Sequence, residues 1–365
     1  MSASITEYVD VSVVLTGAAA EKTAFGTLLG AFAHTVTTNR VDGPYFSLEE
    51  AEGAGFTVGA AANVHAWISA VFSQDDGVDS VKIGNQLAAD AGDWTVTIPA
   101  IIAADPDFYM LNAETRVDTE IISIAALIEP TGAGNNPKIY MAQSSDADIL
   151  TGAGGNIGED LQTAGYNRTA LWYHEHNDEA AGPAPADGYL DGAASSSGGG
   201  LNLDAPAGVG TWAFRQLDGI VFDDVTGAEA VAIFGTDTNL FGRNKGLSFT
   251  SKGTMASGRF IDVQTSLDWL KARLEEELIS EFVGAGTKIP FTNAGINRMA
   301  AAIQRVYDRG VTFGHLSPDE PATLTAPDIT EVSAADKAAR LLTLTGNAVL
   351  AGAIHKVIFN INVQQ

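Results

Sequence analysis

Both ends of this chain alternate in polarity. Near the amino end Val9, Val11, Val13 and Leu15 interleave with Asp10, Ser12, Val14 and Thr16. Near the other end Val357, Phe359, Ile361 and Val363 interleave with Ile358, Asn360 and Asn362. A period of two sends successive side chains to opposite faces, so each stretch is written as a β-strand. A lone strand leaves a row of backbone N–H and C=O groups unpaired and open to any passing edge. The chain is therefore restricted to folds that give both ends a partner, in the same subunit or in another. Small residues adjoin both stretches, from Gly17 to Ala20 and from Gly346 to Gly352, and leave the backbone free to swing.

Between the ends the periodicity is mixed. Residues 60–74 set Val64, Trp67, Ile68, Val71 and Phe72 at helical spacing. Residues 94–98, 120–128, 138–143 and 169–174 are predicted strands, because β-branched and aromatic residues dominate them. Residues 156–163 are a predicted helix, with Asn156 as its cap and acidic residues in its first turn. Strand, helix and strand in this order indicate a mixed α/β unit. Residues 182–210 contain the run ASSSGGG, several prolines and few large apolar side chains, and are predicted to be a long flexible loop. Strands are predicted again at 212–214 and 219–222, and a short helix at 228–234.

The C-terminal third carries two helical stripes. Ser266 caps a predicted helix reaching about residue 282, with Asp268 in its first turn and Leu267, Leu270, Leu274, Leu278 and Phe282 as its apolar face. A second helix is predicted for 293–309, with Ile296, Met299, Ala300, Ile303 and Val306 inward and Gly310 closing it. No short-period internal repeat is present.

Charge and composition remove whole classes of function. The 365 residues hold 45 Asp+Glu against 20 Lys+Arg, a formal net charge of −25. Such a chain does not bind nucleic acid or an anionic membrane through bulk charge. It has no cysteine, which excludes disulfides, thiolate-held zinc, iron–sulfur clusters and thiol catalysis. Its hydrophobic content of 45% is too high for a disordered acidic chain. Glu7 and Asp10 precede the first apolar run where a secretory leader would be basic. No uncharged apolar stretch reaches the ~18 residues of a membrane span. The expectation is a soluble cytoplasmic protein.

Four features invite a chemical reading. His174 and His176, flanking Glu175, would share one face of a strand and could co-ligate a metal, although spacing fixes no third ligand. A metal-dependent hydrolase using His174 and His176 is accordingly one alternative. An acidic surface-layer or glycan-binding protein, suggested by the charge and the Gly/Ser run, is another. The glycines from Gly152 to Gly158 precede a helix but lack both the lysine of a P-loop and the dinucleotide spacing, so they read as a loop and cap. Asp262 with Asp268, and Asp223 with Asp224, are carboxylate pairs of a kind that recurs by coincidence among 45 acidic residues. Arg243, Lys245, Lys252 and Arg259 gather with Phe241 and Phe249, and read as a patch meeting the acidic face of a neighbouring subunit. No residues are set out for a cofactor.

Taken in order, the motifs of residues 258–311 resemble the tail sheath proteins of contractile-tailed phages, in particular a compact group found in myophages. They comprise Asp262, the Leu267-Asp268-Trp269-Leu270 block, the Lys288-Ile289-Pro290-Phe291-Thr292 turn, Ala294-Gly295-Ile296 and the helix reaching Gly310. Tyr166-Asn167-Arg168-Thr169 and Gly210-Thr211-Trp212 are similar too, so the likeness covers most of the chain. The resemblance implies a non-enzymatic structural subunit. It implies an α+β (mixed α/β) fold, with an inner domain built from both chain ends and an outer α/β domain inserted between them. On this reading residues 1–20 form an arm, 21–237 the outer domain, 238–350 the inner domain and 351–365 a second arm. It further implies stacked hexameric rings around a tail tube, with baseplate and terminator proteins as further partners. Assembly would take place in the host cytoplasm and the product would be the tail of a virion. Neighbouring subunits would exchange the arms carrying Val9, Val11, Val13, Leu15, Val357, Phe359, Ile361 and Val363, hinged at Gly17, Gly346 and Gly352. Lys271, Arg273 and Glu276 on the first C-terminal helix are the expected tube contacts.

Overall fold

The computed structural model describes residues 25–134, 136–175 and 188–357. The alternating residues Val9, Val11, Val13, Leu15, Phe359, Ile361 and Val363 lie outside the described residues, as do Gly17 and His176.

The centre of the molecule is a sheet whose middle strands are buried throughout and mostly hydrophobic. β1 (Leu28–Phe32), β4 (Met110–Ala113), β5 (Ile139–Ser144) and β6 (Thr169–Tyr173) are buried at every position. Strands buried on both faces lose the two-residue alternation and belong in a parallel sheet covered by helices. With β2 (Val41–Tyr45), β3 (Val81–Asn85), β7 (Asn239–Asn244) and β8 (Leu247–Ser251), they form eight strands in the order β2-β3-β1-β4-β5-β6-β7-β8. The pairs from β3 to β7 are parallel, while β2 and β8 run antiparallel at the two edges. The fold is mixed α/β. The sheet continues past residue 237, where the sequence suggested a domain boundary, because β7 pairs with β6.

Helices cover both faces. On one lie α3 (Trp94–Ala104), α4 (Asp118–Ile128), α6 (Ile157–Ala164) and α8 (Gly227–Gly235), burying Ile98, Ile121, Leu161 and Ile233 against Leu111 and Leu171. On the other lie α2 (Ala62–Phe72), α7 (Leu190–Gly199), α9 (Ile261–Gly284) and α10 (Asn293–Phe313), burying Trp67, Leu190, Trp269 and Val306 against Met110 and Trp172. Two short helices, α1 (Leu48–Gly53) and α5 (Ala147–Thr151), fill connections. Among the described residues no helix is long and apolar enough to cross a membrane.

Several local expectations are corrected. Residues 94–98 and 120–128 are helical rather than extended. In α4 the buried set Ile121, Ile124, Ala125 and Ile128 keeps the 3.6-residue period inside a run whose β-branched side chains favour a strand. In α3 Asp93 caps the helix by accepting from the Thr95 N–H at 2.8 Å. Residues 212–214 and 219–222 form no strand; only Asp223 bridges to Gly242.

The predicted loop is corrected furthest. Its residues 190–199 are α7, and every one of them is buried. The helix lies so close to its neighbours that a Cβ on Gly192 would fall 2.7 Å from the Trp67 ring and one on Gly198 2.5 Å from the Trp212 ring. Its serines are satisfied across the packing: Ser196 Oγ donates to the Val71 carbonyl at 2.7 Å, and Asn112 Nδ2 donates to Ser195 Oγ at 3.2 Å. Small residues here permit close approach rather than flexibility.

In the C-terminal pair, α9 begins at Ile261, five residues before the expected cap. Its buried face is Ile261, Thr265, Asp268, Trp269 and Ala272, while Leu267 and Phe282 of the expected stripe are exposed. α10 runs through Gly310 and stops where Gly314 adopts φ +90°, a conformation that favours glycine.

Candidate assembly surface

Each edge of the large sheet is obstructed. On β2 Pro44 lacks an N–H, and the register with β3 breaks between Asp42 and Tyr45. On β8 the outer flank at Thr250 is taken: its N–H donates to the Arg215 carbonyl at 2.9 Å, and its carbonyl accepts from the Phe214 N–H at 2.7 Å. Strand addition is therefore poorly served by this sheet.

A second, small sheet presents the opposite case. Among the described residues β9 (Thr323–Thr325) and β10 (Thr345–Asn347) pair only with each other, in antiparallel register from Thr345↔Thr325 to Asn347↔Thr323. They are joined by a connection holding α11 (Ala334–Ala339), and all but Leu324 face solvent. A two-stranded ribbon is marginal alone, and among the described residues no further strand pairs with its outer flanks. It rests on α10 through Gly346, where an added Cβ would strike the Tyr307 hydroxyl. Gly346 is thus packed within a strand, and the hinge expected there is not a free one; Gly352 does have open space around it.

The ribbon is carried by the α9–α10 pair, which is fixed to the body by buried charge. Arg168, at the start of β6, donates from Nη2 to Asp268 Oδ1 at 2.6 Å and from Nη1 to Oδ2 at 2.9 Å. Tyr109 Oη donates to the same Oδ2 at 2.8 Å. Burial, with the Asp268 charge beside it, raises the Tyr109 hydroxyl well above its ordinary pKa, so it stays a donor. Along the outer seam, Arg298 and Arg305 pair with Glu281, and Arg305 and Arg309 with Glu277. Beyond the body, Ile279, Phe282 and Val283 form an apolar strip, each more than half exposed.

The expected tube contacts separate. Arg273 is buried and turned toward the body; it forks onto Asp204 at 3.0 and 2.6 Å and holds Glu276 at 2.8 Å. That burial corrects the expectation for Arg273, because a side chain enclosed in its own subunit offers no surface to a tube. Lys271 donates to the Gly134 carbonyl at 2.7 Å. Val357 is 81% exposed and in no strand of the subunit.

The chemical alternatives resolve into structure. His174 is buried, with Nδ1 3.0 Å from Asp223 Oδ1, and Asp223 also accepts from the Glu175 N–H at 3.0 Å. The histidine joins a strand end to a bridge. Among the described residues no group of three or more His, Asp or Glu is placed to hold a metal. Gly152, at φ +66°, closes α5, and Asn156 caps α6 by accepting from the Glu159 N–H at 3.1 Å. The basic cluster divides as well. Lys252 pairs with Asp237 at 2.7 Å and Arg259 donates to Gln264 at 2.6 Å, whereas Arg243 and Lys245 stand exposed at the β7–β8 turn.

The ribbon was not visible in the sequence, because three-residue strands fall below any periodic signal. The Arg168–Asp268 pair was not visible either, since 100 residues separate its members.

Residues 261–321 match the family described as E217 tail sheath protein gp31-like, C-terminal domain. That segment spans α9, α10 and the approach to the ribbon. A comparison with curated protein sequences found no match. Among solved structures, the helical sheath of the anti-feeding prophage (AFP) in its contracted state is similar. It is 13% identical, covers 97% of this chain and 98% of that one, and has a TM-score of 0.66. The six-fold symmetrised AFP baseplate contains a chain 12% identical, with full coverage on both sides and a TM-score of 0.63. The PVC sheath complex of an extracellular contractile injection system, also contracted, is 12% identical over 97% and 96% of the two chains, with a TM-score of 0.64. At these identities the likeness is one of fold.

Proposed function

We propose that this chain is the structural subunit of a contractile sheath. It would polymerise helically around a tail tube in a phage or phage-derived particle and contract to drive the tube through an envelope. The observation that carries this reading is the match of residues 261–321 to a tail sheath domain, within a chain whose whole fold follows contractile-system sheaths. Rings of six, arm exchange, and contacts with tube, baseplate and terminator belong to the same proposal, as does assembly in the host cytoplasm. No reaction is assigned to it.

Among the described residues the outer flanks of β9 and β10 carry no further strand, which supports exchange at this ribbon. An alternating arm such as that around Val357 would add there, satisfying its own backbone groups and those of the ribbon. Such a contact is heterologous and need not close, so it propagates. The purified full chain, imaged by negative stain, should show striated tubes or rings; monodisperse monomers at high concentration would sink the reading. Removing residues 358–365 should stop growth without changing the melting temperature of the subunit, and continued growth would eliminate arm exchange at that end.

A further inference from the structure

Beyond the ribbon the chain returns to the body, and among the described residues it is fastened there at two points. At the first, Ser317 N–H donates to the Val349 carbonyl at 2.8 Å, Ala351 N–H donates to the His315 carbonyl at 3.0 Å, and Leu316 bridges to Leu350. The second is His355. Its ring stands edge-on to Phe260, with centroids 4.6 Å apart, and to Phe214 at 5.6 Å. Its Nε2 lies 2.8 Å from Thr211 Oγ1. Between the two points Gly352, Ala353 and Ile354 are exposed, and beyond His355 so are Lys356 and Val357.

The receiving side is built at a cost. Phe214 sits at φ +65°, a left-handed conformation that bulky residues rarely adopt. It is held there by the bond from its N–H to Thr250 and by Arg215 N–H donating to Thr250 Oγ1 at 3.0 Å. The ring remains 53% exposed, so burial does not explain the strain. What the conformation achieves is direction: the ring is set between Phe249, at 5.8 Å, and His355. Strained backbone of this kind persists only where its surroundings hold it, and it clusters at ligand clamps and switch regions. Phe260 is fixed independently, as the residue that opens α9. Three groups from two separate stretches thus converge on one histidine.

We infer that Thr211, Phe214 and Phe260 form a clamp for His355, and that the clamp stores slack in the C-terminal segment. When His355 is seated, the following residues depart from the body at position 355. When it is released, the point of departure retreats to Ala351, and the four residues from 352 to 355 join the tether. At about 3.3 Å per extended residue the reach grows by about 13 Å. Two edge-on ring contacts and one hydrogen bond near the surface can open while the body stays folded. The use of this slack rests on the sheath reading, in which a tether must keep hold of a neighbour while subunits move apart; the clamp itself is a property of one subunit.

The absence of native cysteine allows a direct test by paired spin labels on the full, unassembled chain. Val231→Cys on α8 and Val357→Cys are both exposed attachment points. With His355 present, the distance distribution should be single and narrow. His355→Ala should broaden it and extend it by up to about 10 Å, within the reach of four freed residues. Phe214→Gly should do the same, since glycine accepts the left-handed backbone and removes only the ring. Unchanged melting temperatures would show that the body is intact in both variants. A broad distribution in the parent, or a narrow one that survives both substitutions, overturns the clamp. Because the measurement uses free subunits, failure to form tubes would defeat the sheath reading and leave this result standing.

Discussion

His315 shows how far one side chain is determined by its surroundings. It is fully buried and stacks on Trp269 at 4.0 Å between centroids. Its Nε2–H donates to the Leu203 carbonyl at 3.0 Å, and its Nδ1 accepts from Ser266 Oγ at 3.0 Å, so the neutral ring satisfies both neighbours. Burial lowers its pKa to about 4, with Arg273 adding to the effect and the Leu203 carbonyl and Asp204 opposing it. The unfolded chain takes up this proton near pH 6.5, well before the folded chain does, so acid favours unfolding. The contribution of His315 is complete above pH 6.5 and falls by about 3 kcal/mol as pH drops to about 4. Many carboxylates titrate in the same window, so the effect is isolated by difference. Urea unfolding of the parent should lose about 3 kcal/mol more between pH 7 and pH 4 than that of His315→Gln. Equal losses in the two proteins would refute the assignment. None of this was legible in the sequence, where neither Trp269 nor Leu203 lies near residue 315.

Among the elements, α6 was readable from its cap, Asn156, whereas α3 was read as a strand although Asp93 caps it; α8, whose Thr226 and Glu229 form a reciprocal box, was read without that box. β5 and β6 were read as the strands they are, whereas the similar short apolar runs at 94–98 and 120–128 lie in α3 and α4, because such runs suit a buried helix as well as a buried strand. α7 was misread because its meaning lies in its neighbours: the same glycines and serines that lower helix propensity let it press against α2 and the sheet. The inversion has a measurable consequence at Gly192. In an ordinary helix interior Gly→Ala gains about 1 kcal/mol. Here the new methyl would fall 2.7 Å from the buried Trp67 ring, which also donates from Nε1 to Asn112 Oδ1 at 3.1 Å and cannot easily give way. Gly192→Ala should therefore destabilise the protein by about 1–3 kcal/mol in chemical denaturation. A stabilised variant would show α7 to be looser than its burial indicates. The candidate assembly surface was not legible: the ribbon and the contacts of His355 arise between distant segments, and the alternating termini lie, Val357 apart, outside the described residues.

For the molecule as a whole, the charge of −25 becomes a statement about assembly once the positive side chains are located. Among the described residues, Arg40, Lys82, Arg116, Arg168, Lys252, Arg273, Arg298, Arg305 and Arg309 are engaged in ion pairs within the subunit. Each pair neutralises one acid and leaves the excess untouched, so the surface presented to a neighbour is more one-sided than the composition suggests. On the proposed sheath reading, bringing identical subunits together sets acid against acid, while strand addition and apolar burial would supply the attraction. These two contributions respond oppositely to salt. Repulsion reaches about 30 Å at 0.01 M ionic strength and about 3 Å at 1 M, whereas burial of apolar surface and backbone pairing depend little on screening. The critical concentration for polymerisation should therefore fall steadily as sodium chloride is raised from about 0.01 M to 1 M, followed by light scattering and sedimentation. An interface built chiefly from ion pairs between subunits, with Arg243 and Lys245 as donors, would give the reverse slope, because screening would weaken it. The sign of that slope decides whether charge opposes assembly or drives it.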